Sequence, residues 1–194
     1  VYTSVLKRAV TSTMVLLAEL RQTYRPVVKD WRLNERHYGA LQGLSKARLA
    51  KELGGDKATR IRASFDDRPP EMPADHTLSP LRERKYDGVE RARIPLAESL
   101  RDCLERVRPL WHENIRKDLL AGHDVLVVAQ GNSLRGLVKE IDGIDDSTIE
   151  RVAVPNGIPL VYRFESVDNE LQVVKGESDI ISGEFLEERG LLRT

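Results

Sequence analysis

Apolar residues recur every three or four positions near the start of the chain. The positions are Leu6, Ala9, Val10, Met14, Leu17 and Leu20. This spacing predicts an amphipathic α-helix with one apolar face. Ser4 or Thr3 stands just before the pattern, where a side-chain oxygen can accept hydrogen bonds from the free N–H groups of the first turn. We therefore expect a capped helix that packs this face against the rest of the fold.

A second helical pattern begins near residue 96. Its apolar positions are Leu96, Leu100, Leu104 and Val107. Pro109 follows, and a proline inside a helix removes one hydrogen bond and clashes with the preceding turn. We expect the helix to kink there or a new helix to begin. Gly122 is predicted to end it, because glycine readily takes the left-handed conformation that follows a last helical turn.

A continuous apolar run at 125–129 is typical of a strand that is buried on both faces. It leads through Gln130 and Gly131 into a further helix, predicted over about 132–141. A strand that runs through a glycine turn into a helix is the arrangement by which α/β proteins bind anionic groups. This turn is therefore the first candidate for a ligand site.

The remaining elements are short. The sequence "STIE" at 147–150 has the capping-box pattern and predicts a short helix. The stretches 158–164 and 171–174 are predicted strands, joined by the turn dipeptide Asp168-Asn169. Helices alternate with strands, so we predict an α/β fold with a mixed, mostly parallel sheet and helices on both faces. About four strands can be counted, which is few for such a sheet.

The chain of 194 residues fits one domain, 1–194. Residues 66–95 contain five prolines and few aliphatic side chains, which predicts a long surface loop. The polar stretch 176–194 is expected to be a loosely held C-terminal tail. The sequence begins with Val1, already inside an ordered-looking pattern, and we expect that a preceding segment has been removed or that the sequence is a fragment.

Composition limits the possible partners. The 31 basic and 31 acidic residues balance, so the overall charge favours neither nucleic acid nor a membrane surface. No apolar run approaches the roughly 20 residues that span a bilayer. The single cysteine, Cys103, excludes a disulfide within the chain and suits a reducing compartment, so a cytoplasmic protein is expected.

Short motifs narrow the chemistry. The sequence contains no G-x-x-x-x-G-K-[ST], G-x-G-x-x-G or G-x-S-x-G, which disfavours a P-loop, a dinucleotide site and a hydrolase nucleophile elbow. Its four histidines do not have the spacing of metal ligands, and we expect no metal. The "GNS" turn at 131–133 is by itself a weak signal, since it is as often an N-cap alone.

Longer stretches carry a family resemblance. "WRLNERHYGALQGLSK" at 31–46, "QGNSLRG" at 130–136 and "VPNGIPLVYRF" at 154–164 follow one another in the chain. Together they resemble the 2,3-bisphosphoglycerate-dependent phosphoglycerate mutases of the histidine phosphatase superfamily. Shorter stretches agree, namely "SVLKRA" at 4–9, "PPEM" at 69–72 and "PLAESLRD" at 95–102. The likeness covers nearly the whole chain.

The resemblance implies a three-layer α/β sandwich and a reaction. Members of this family interconvert 3-phosphoglycerate and 2-phosphoglycerate in glycolysis through a phosphohistidine, with 2,3-bisphosphoglycerate as the priming phosphoryl donor. It also implies a homodimer or homotetramer whose other partners are small-molecule phosphoglycerates. A bisphosphoglycerate mutase or phosphatase remains open, because one site supports all three activities.

Roles can be carried over position by position. Glu35 matches the general acid/base, which suits a carboxylate only where burial raises its pKa. The alternative for Glu35 is a salt bridge to Arg36. Arg8 matches an arginine at the transferring phosphoryl group, where two oxygens can be bound at once. Gly131 and Asn132 match the turn that faces the phosphate.

Further positions match substrate contacts. Tyr38, Lys46 and Arg62 would supply a hydroxyl and two positive charges for a carboxylate and a phosphate. Arg36 and His37 belong to the same block, and they either contact the substrate or brace Glu35.

Three departures from the family pattern lower the expected activity. The family nucleophile lies in an arginine-histidine-glycine motif on the first strand, and this motif does not occur in the 194 residues. We therefore expect the first strand to be missing from this chain. Gln130 stands where the family has a second histidine, and Ala63 follows Arg62 where the family usually has two arginines. The alternative is a catalytically inactive protein that binds phosphoglycerates.

Overall fold

The structure is a computed structural model that describes residues 1–45, 48, 51, 54, 60, 61 and 64–186. In this part of the chain the helices are α1 (Lys7–Glu19), α2 (Leu100–Leu110), α3 (Arg116–Leu120), α4 (Gly131–Asp142) and α5 (Asp146–Arg151). The strands are β1 (Tyr2–Thr3), β2 (Val28–Lys29), β3 (Val127–Val128), β4 (Leu160–Val161), β5 (Phe164–Val167), β6 (Glu170–Val173) and β7 (Glu184–Phe185).

Strand β1 lies at the centre of a parallel sheet in the order β2-β1-β3. Two antiparallel pairs, β4 with β7 and β5 with β6, complete the strands that the structure describes. The predicted α/β fold is confirmed. The count of about four strands is wrong for the described residues, because the structure has seven short strands there. That a further strand precedes β1 stays a prediction.

The parallel sheet brings three segments of the chain to one edge. Helix α1 begins shortly after β1 ends, the stretch 30–38 follows β2, and α4 follows β3 after Gln130. Because the three strands run in the same direction, all three segments leave the sheet at its carboxyl edge. This edge is where an open α/β sheet binds its ligands.

Two apolar clusters hold α2 and α4 against the sheet and against each other. The first contains Tyr2, Leu33, Val107, Leu110, Trp111, Ile115 and Leu137. The second contains Phe65, Leu100, Leu104, Val138, Ile149, Val152 and Ile181. A Cβ atom added to Gly136 would lie 3.4 Å from side-chain atoms of Leu104 and Val107. The glycine therefore lets α2 and α4 approach closely, and this packing fixes the start of α4 in space.

Helix α1 differs from its prediction. It buries Ala9, Thr13 and Leu17, whereas Met14 and Leu20 are exposed. The predicted face is therefore wrong in part, because the buried stripe follows a strict spacing of four residues and is narrow. The predicted caps are also wrong, since Leu6 is the N-cap and no side chain caps the helix.

The second helical pattern is confirmed from Leu100 onward, whereas Leu96 precedes the helix. The predicted break after this helix takes an unusual form. Helix α2 begins with a capping box between Ser99 and Asp102 and continues through Pro109. A π-helical turn at Trp111–Ile115 follows and leads into α3. One wide turn thus relieves the defect that the proline introduces. Gly122 follows α3 with φ +80°, as predicted for the residue that ends this segment.

The later elements are partly as predicted, with three corrections. The predicted strand 158–164 is divided between β4 (Leu160–Val161) and the start of β5 (Phe164–Val167). Asp168 and Asn169 both have positive φ in the turn between β5 and β6, which confirms that turn. The N-cap of α5 is Asp145 and not Ser147, because the Asp145 carboxylate accepts from the Thr148 N–H at 2.7 Å. The described part of the tail is not loose, since β7 pairs with β4 and Ile181 is buried.

The stretch 66–95 contains neither α-helix nor strand, and it includes three short 3₁₀ turns. Met72, Pro80 and Tyr86 are buried and fix the stretch to the domain. Tyr86 also accepts a hydrogen bond from the Asn34 Nδ2 at 3.0 Å. The loop therefore packs against the segment that follows β2.

Gly39 offers a direct test of how closely the loop 66–95 approaches the segment that follows β2. Its φ is +57°, and an added Cβ would lie 2.0 Å from the Pro70 carbonyl oxygen. We expect Gly39→Ala to lower the free energy of unfolding by about 2–4 kcal/mol, through the left-handed conformation and the overlap together. Gly122→Ala is the control, because Gly122 has φ +80° and open space around it. Equal losses in urea unfolding of the two variants would contradict the close approach to Pro70.

Candidate functional site

Side chains at the carboxyl edge of the sheet join its three segments. The Asn34 Oδ1 accepts from the Val5 N–H at 3.1 Å, which ties the segment after β2 to the start of α1. The Asn132 Nδ2 donates to the Tyr38 hydroxyl at 3.2 Å, which ties the same segment to the start of α4. The Ser133 hydroxyl adds a bond to the Leu33 carbonyl at 2.9 Å. The stretch 33–38 therefore connects the N-terminal ends of two helices.

The start of α4 has the features of an anion site. Gln130 is its N-cap, and the Gln130 side chain makes no capping hydrogen bond. A Cβ added to Gly131 would meet no atom within 4 Å among the described residues, so the backbone is open to a ligand there. The free N–H groups and the positive end of a 12-residue helix favour a negative charge at this place.

Gln130 itself is buried, with 8% of its surface exposed. Its Oε1 is buried without a hydrogen-bond partner in the described part of the chain. An unpaired buried acceptor costs about 1–3 kcal/mol. The carboxamide can turn and present its N–H₂ group instead, because its oxygen and nitrogen ends have nearly the same shape. A neutral donor can thus stand where the resemblance implies a histidine.

Glu35 is half-buried, and its Oε1 accepts from the Arg36 backbone N–H at 2.8 Å. The salt bridge to the Arg36 guanidinium, the alternative raised by the sequence, does not form. That guanidinium instead donates to the carbonyl oxygens of Glu98, Ile61 and Asp67. The Glu35 carboxylate therefore forms no ion pair with Arg36 and lies on the segment that leaves the carboxyl edge.

Arg36 is only 1% exposed, and burial lowers the pKa of its guanidinium. Its Nη1 has no hydrogen-bond partner among the described residues. A ligand cannot reach this group in the structure. Of the two roles expected for Arg36, the geometry matches bracing, because its bonds tie the stretch after β2 to residues 61, 67 and 98.

His37 also takes part in holding the segment. Its Nδ1 accepts from the Gly39 N–H at 3.0 Å, and its backbone N–H donates to the Glu98 carboxylate at 2.8 Å. The ring nitrogen that accepts must be unprotonated. Burial is the main cause that lowers the pKa of His37, and it favours the same neutral form.

The lowered pKa of His37 determines whether the free energy of unfolding rises or falls with pH. The folded protein resists protonation of His37, so its stability is complete above the ordinary pKa of about 6.5 and falls as the pH drops below it. We expect the free energy of unfolding to fall between about pH 7.5 and about pH 5, and to fall less in His37→Gln. His123→Gln is the control for replacing a histidine outside this segment, because His123 is exposed. Urea unfolding at the two pH values measures it, and equal falls in all three proteins would contradict this role.

Sequence reasoning missed a buried ion pair behind the segment. The Arg106 Nε donates to the Glu98 carboxylate at 2.6 Å, and both side chains are less than 10% exposed. The same guanidinium donates to the backbone carbonyl oxygens of Arg32, Asn34 and Glu35. The sequence contained a signal for this pair, because Arg106 lies on the same face of α2 as its buried apolar residues, where an unpaired charge is unfavourable.

Sequence reasoning also missed Arg135, which lies three residues after Asn132 on α4. Its Nη1 donates to the Asn132 Oδ1 at 3.3 Å. Asn132 therefore contacts Arg135 through its oxygen and Tyr38 through its nitrogen. The spacing of three residues on one helix was the available signal.

The structure describes only one of the three predicted cations. Arg8 is exposed in the first turn of α1, on the same edge of the sheet, and no hydrogen bond or ion pair joins it to Glu35 or α4. Lys46 and Arg62 lie outside the described residues. Glu35, Tyr38, Gln130, Gly131 and Asn132 remain as the group that the structure places at the carboxyl edge.

Other kinds of site find little support in the described part of the chain. No group of three or more histidine, cysteine or acidic side chains there is placed to hold a metal ion. None of the helices described is long and apolar enough to cross a membrane. A small depression between α2 and α4, lined by Phe65, Leu104, Gly136 and neighbouring charged residues, includes none of the predicted site residues.

Comparison with known proteins gives the family and the fold. The family model described as "Histidine phosphatase superfamily (branch 1)" matches residues 1–93 and 76–175. The native structure of a mycobacterial glucosyl-3-phosphoglycerate phosphatase aligns with a TM-score of 0.60 and 20% identity, over 95% of this chain and 74% of the other. Its complex with VO3 aligns with a TM-score of 0.61 and 21% identity, over 95% and 73%. A structure described as mycobacterial hydrolase 1 aligns with a TM-score of 0.59 and 21% identity, over the same shares.

Proposed function

Because this chain belongs to branch 1 of the histidine phosphatase superfamily, we propose that its carboxyl-edge site binds phosphoglycerates and serves phosphoglycerate mutase chemistry. The observation that carries the proposal is the contact between Asn132 and Tyr38 at 3.2 Å. It joins the open N-terminus of α4, which suits a phosphate, to the "LNERHYG" segment, which resembles the mutases. The proposed substrates are 3-phosphoglycerate and 2-phosphoglycerate, with 2,3-bisphosphoglycerate as phosphoryl donor.

Each group at the edge has a proposed task. The first-turn N–H groups at Gly131 and the Asn132 carboxamide bind phosphoryl oxygens, since such donors stabilise the charge of a transferring group. Glu35 exchanges a proton with the glycerate hydroxyl, because its carboxylate is half-buried and lies on the same segment as Tyr38. Arg36 and His37 hold this segment in place. Arg8, Lys46 and Arg62 are proposed to supply positive charge.

The proposal includes a low activity for the chain. Gln130 offers a neutral donor where an imidazolium would offer a charged one, and charge-assisted hydrogen bonds are roughly twice as strong. We propose a cytoplasmic homodimer or homotetramer as the setting, where a free cysteine such as Cys103 stays reduced.

A second candidate function is the hydrolysis of phosphomonoesters. It is favoured by the solved structures of similar fold, of which several are described as glucosyl-3-phosphoglycerate phosphatase. In this reaction water takes the place of the second glycerate hydroxyl as acceptor. The same phosphate-binding groups serve both reactions, so the acceptor distinguishes them.

Phosphorus NMR separates the candidates in one experiment. The protein is incubated with 3-phosphoglycerate and a trace of 2,3-bisphosphoglycerate, and binding is measured in parallel by calorimetry. A mutase forms 2-phosphoglycerate, whereas a phosphatase forms inorganic phosphate. Binding without turnover supports the inactive phosphoglycerate-binding alternative. Absence of any binding would contradict the proposal.

Glu35→Gln tests the proposed proton transfer. Removing a general acid/base lowers turnover by about 100- to 10,000-fold, and we expect binding of 3-phosphoglycerate to stay within about threefold, because the amide keeps the shape of the carboxylate. The exposed Glu71→Gln is the control and should change neither quantity. Unchanged turnover in Glu35→Gln would remove Glu35 from the reaction.

A further inference from the structure

We propose that Arg135 is a positioning residue for the site at the start of α4, where it fixes the Asn132 carboxamide so that an N–H of that group faces a bound phosphoryl oxygen. The inference deepens the proposed function and rests on it. Arg135 belongs neither to the resemblance-based set of site residues nor to the first turn of α4, and it need not touch the ligand.

The orientation of the Asn132 carboxamide follows from hydrogen-bond chemistry. A guanidinium group has five N–H donors and no acceptor. The Asn132 atom that lies 3.3 Å from the Arg135 Nη1 must therefore be the oxygen. The nitrogen then faces the other way, where it donates to the Tyr38 hydroxyl at 3.2 Å. Without Arg135, both orientations of the carboxamide become accessible.

The fixed nitrogen has one donor to spare. An asparagine NH₂ group carries two N–H donors, and Tyr38 accepts one of them. Among the described residues Asn132 makes no second bond through this nitrogen. Asn132 is the second residue of α4, so its remaining side-chain N–H lies beside the free backbone N–H groups of the first turn. A phosphoryl oxygen at the helix N-terminus can accept from it.

Arg135 is itself rigidly placed. Its Nη2 donates to the Ile149 carbonyl at the far end of α5, and its side chain is partly buried. Asn132 and Arg135 are three residues apart on α4, so they share one face of the helix. The guanidinium therefore bridges Asn132 on α4 and Ile149 on α5. Its bond to Ile149 keeps it in place if the Asn132 carboxamide rotates.

No described carboxylate competes with Asn132 for the Arg135 guanidinium. Its Nε is buried without a partner, and it forms no ion pair with a described carboxylate. Burial and, next, the charge of Arg36 lower the pKa of its guanidinium. The Asn132 oxygen and the Ile149 carbonyl therefore orient the guanidinium.

A double-mutant cycle with inorganic phosphate tests the inference. The dissociation constant is measured by calorimetry for the wild type, Arg135→Met, Asn132→Leu and the double variant. We expect Asn132→Leu to bind about tenfold more weakly, since it loses one hydrogen bond to a charged ligand. Arg135→Met should bind about two- to tenfold more weakly, because its freed carboxamide presents the N–H in only one of two orientations. The double variant should bind no more weakly than Asn132→Leu alone, because Arg135 acts through Asn132.

Two outcomes would contradict the proposals in different ways. Losses that multiply in the double variant would overturn the inference while leaving the phosphate site in place. A wild type that does not bind phosphate would overturn the proposed function and the inference together. Arg108→Met is the matched control for a lost surface charge, and it should bind phosphate as the wild type does.

The inference stays testable if Arg135→Met fails to fold. Arg135→Lys keeps the charge, and its amine can reach the Asn132 oxygen or the Ile149 carbonyl but does not span both as the guanidinium fork does. We expect it to bind phosphate more weakly than the wild type, and to lose this difference in the Asn132→Leu background. A difference that persists in that background would overturn the inference.

Discussion

Replacing Arg106 by methionine is expected to lower the free energy of unfolding by about 3–5 kcal/mol, because it leaves the buried Glu98 carboxylate without its partner. Arg106 donates to both oxygens of Glu98, at 2.6 and 3.0 Å. It also donates to the carbonyl oxygens of Asn34 and Glu35. The loss therefore removes the support of the segment that carries the candidate acid/base.

Two further variants show whether burial is the cause. Arg101→Met removes an arginine of the same helix whose ion pair with Asp66 is exposed, and an exposed pair contributes little to stability. Adding Glu98→Met to Arg106→Met removes the unpaired charge and should restore part of the loss. Urea unfolding measures all three. Equal losses for Arg106→Met and Arg101→Met would contradict the role of the buried pair.

Replacing Gln130 by histidine is expected to raise kcat by about 100- to 1000-fold in any phosphoryl transfer that the protein performs. Gln130 is the buried N-cap of α4, and its present side chain carries no charge. An imidazolium there donates a charge-assisted hydrogen bond to the phosphoryl oxygens as charge develops. The effect should appear in kcat more than in KM, since the bond strengthens in the transition state.

The same variant has a signature in binding alone. Sulfate keeps its two negative charges between about pH 6 and about pH 8. Any change of its affinity over this range therefore comes from a change of charge on the protein. We expect Gln130→His to bind sulfate about tenfold more tightly than the wild type at about pH 6, and equally at about pH 8, because histidine loses its proton between these values. Wild-type binding at each pH is the control. A ratio that does not change with pH would place position 130 away from the anion.

The sequence is most informative where local pattern and chain topology agree. The apolar run at 125–129, the glycine turn and the helix after it correspond to β3 (Val127–Val128) and α4 (Gly131–Asp142), although β3 is shorter than the run and only partly buried. The period of the second pattern likewise places Leu100, Leu104 and Val107 in the core. These features depend on a few neighbouring residues, so the sequence alone predicts them.

The errors have a common physical origin, because they concern contacts between distant segments. Met14 has the spacing of a buried residue, yet no described element covers that side of α1 and 42% of its surface is exposed. Arg36 was open to two roles, and only its bonds to three distant carbonyl groups favour bracing. Arg135 has no motif of its own, since its role depends on the orientation of Asn132.

The central claim is that the start of α4, beside Tyr38 and Glu35, binds the phosphate of a phosphoglycerate. Nitrogen-edited NMR of the protein during titration with 3-phosphoglycerate tests it most directly, with glycerate as the control that lacks the phosphate. The account expects saturable shifts of the Gly131 and Asn132 backbone N–H signals and of the Asn132 side-chain NH₂, with none on addition of glycerate. Shifts confined to other parts of the molecule, or equal shifts with glycerate, would contradict it.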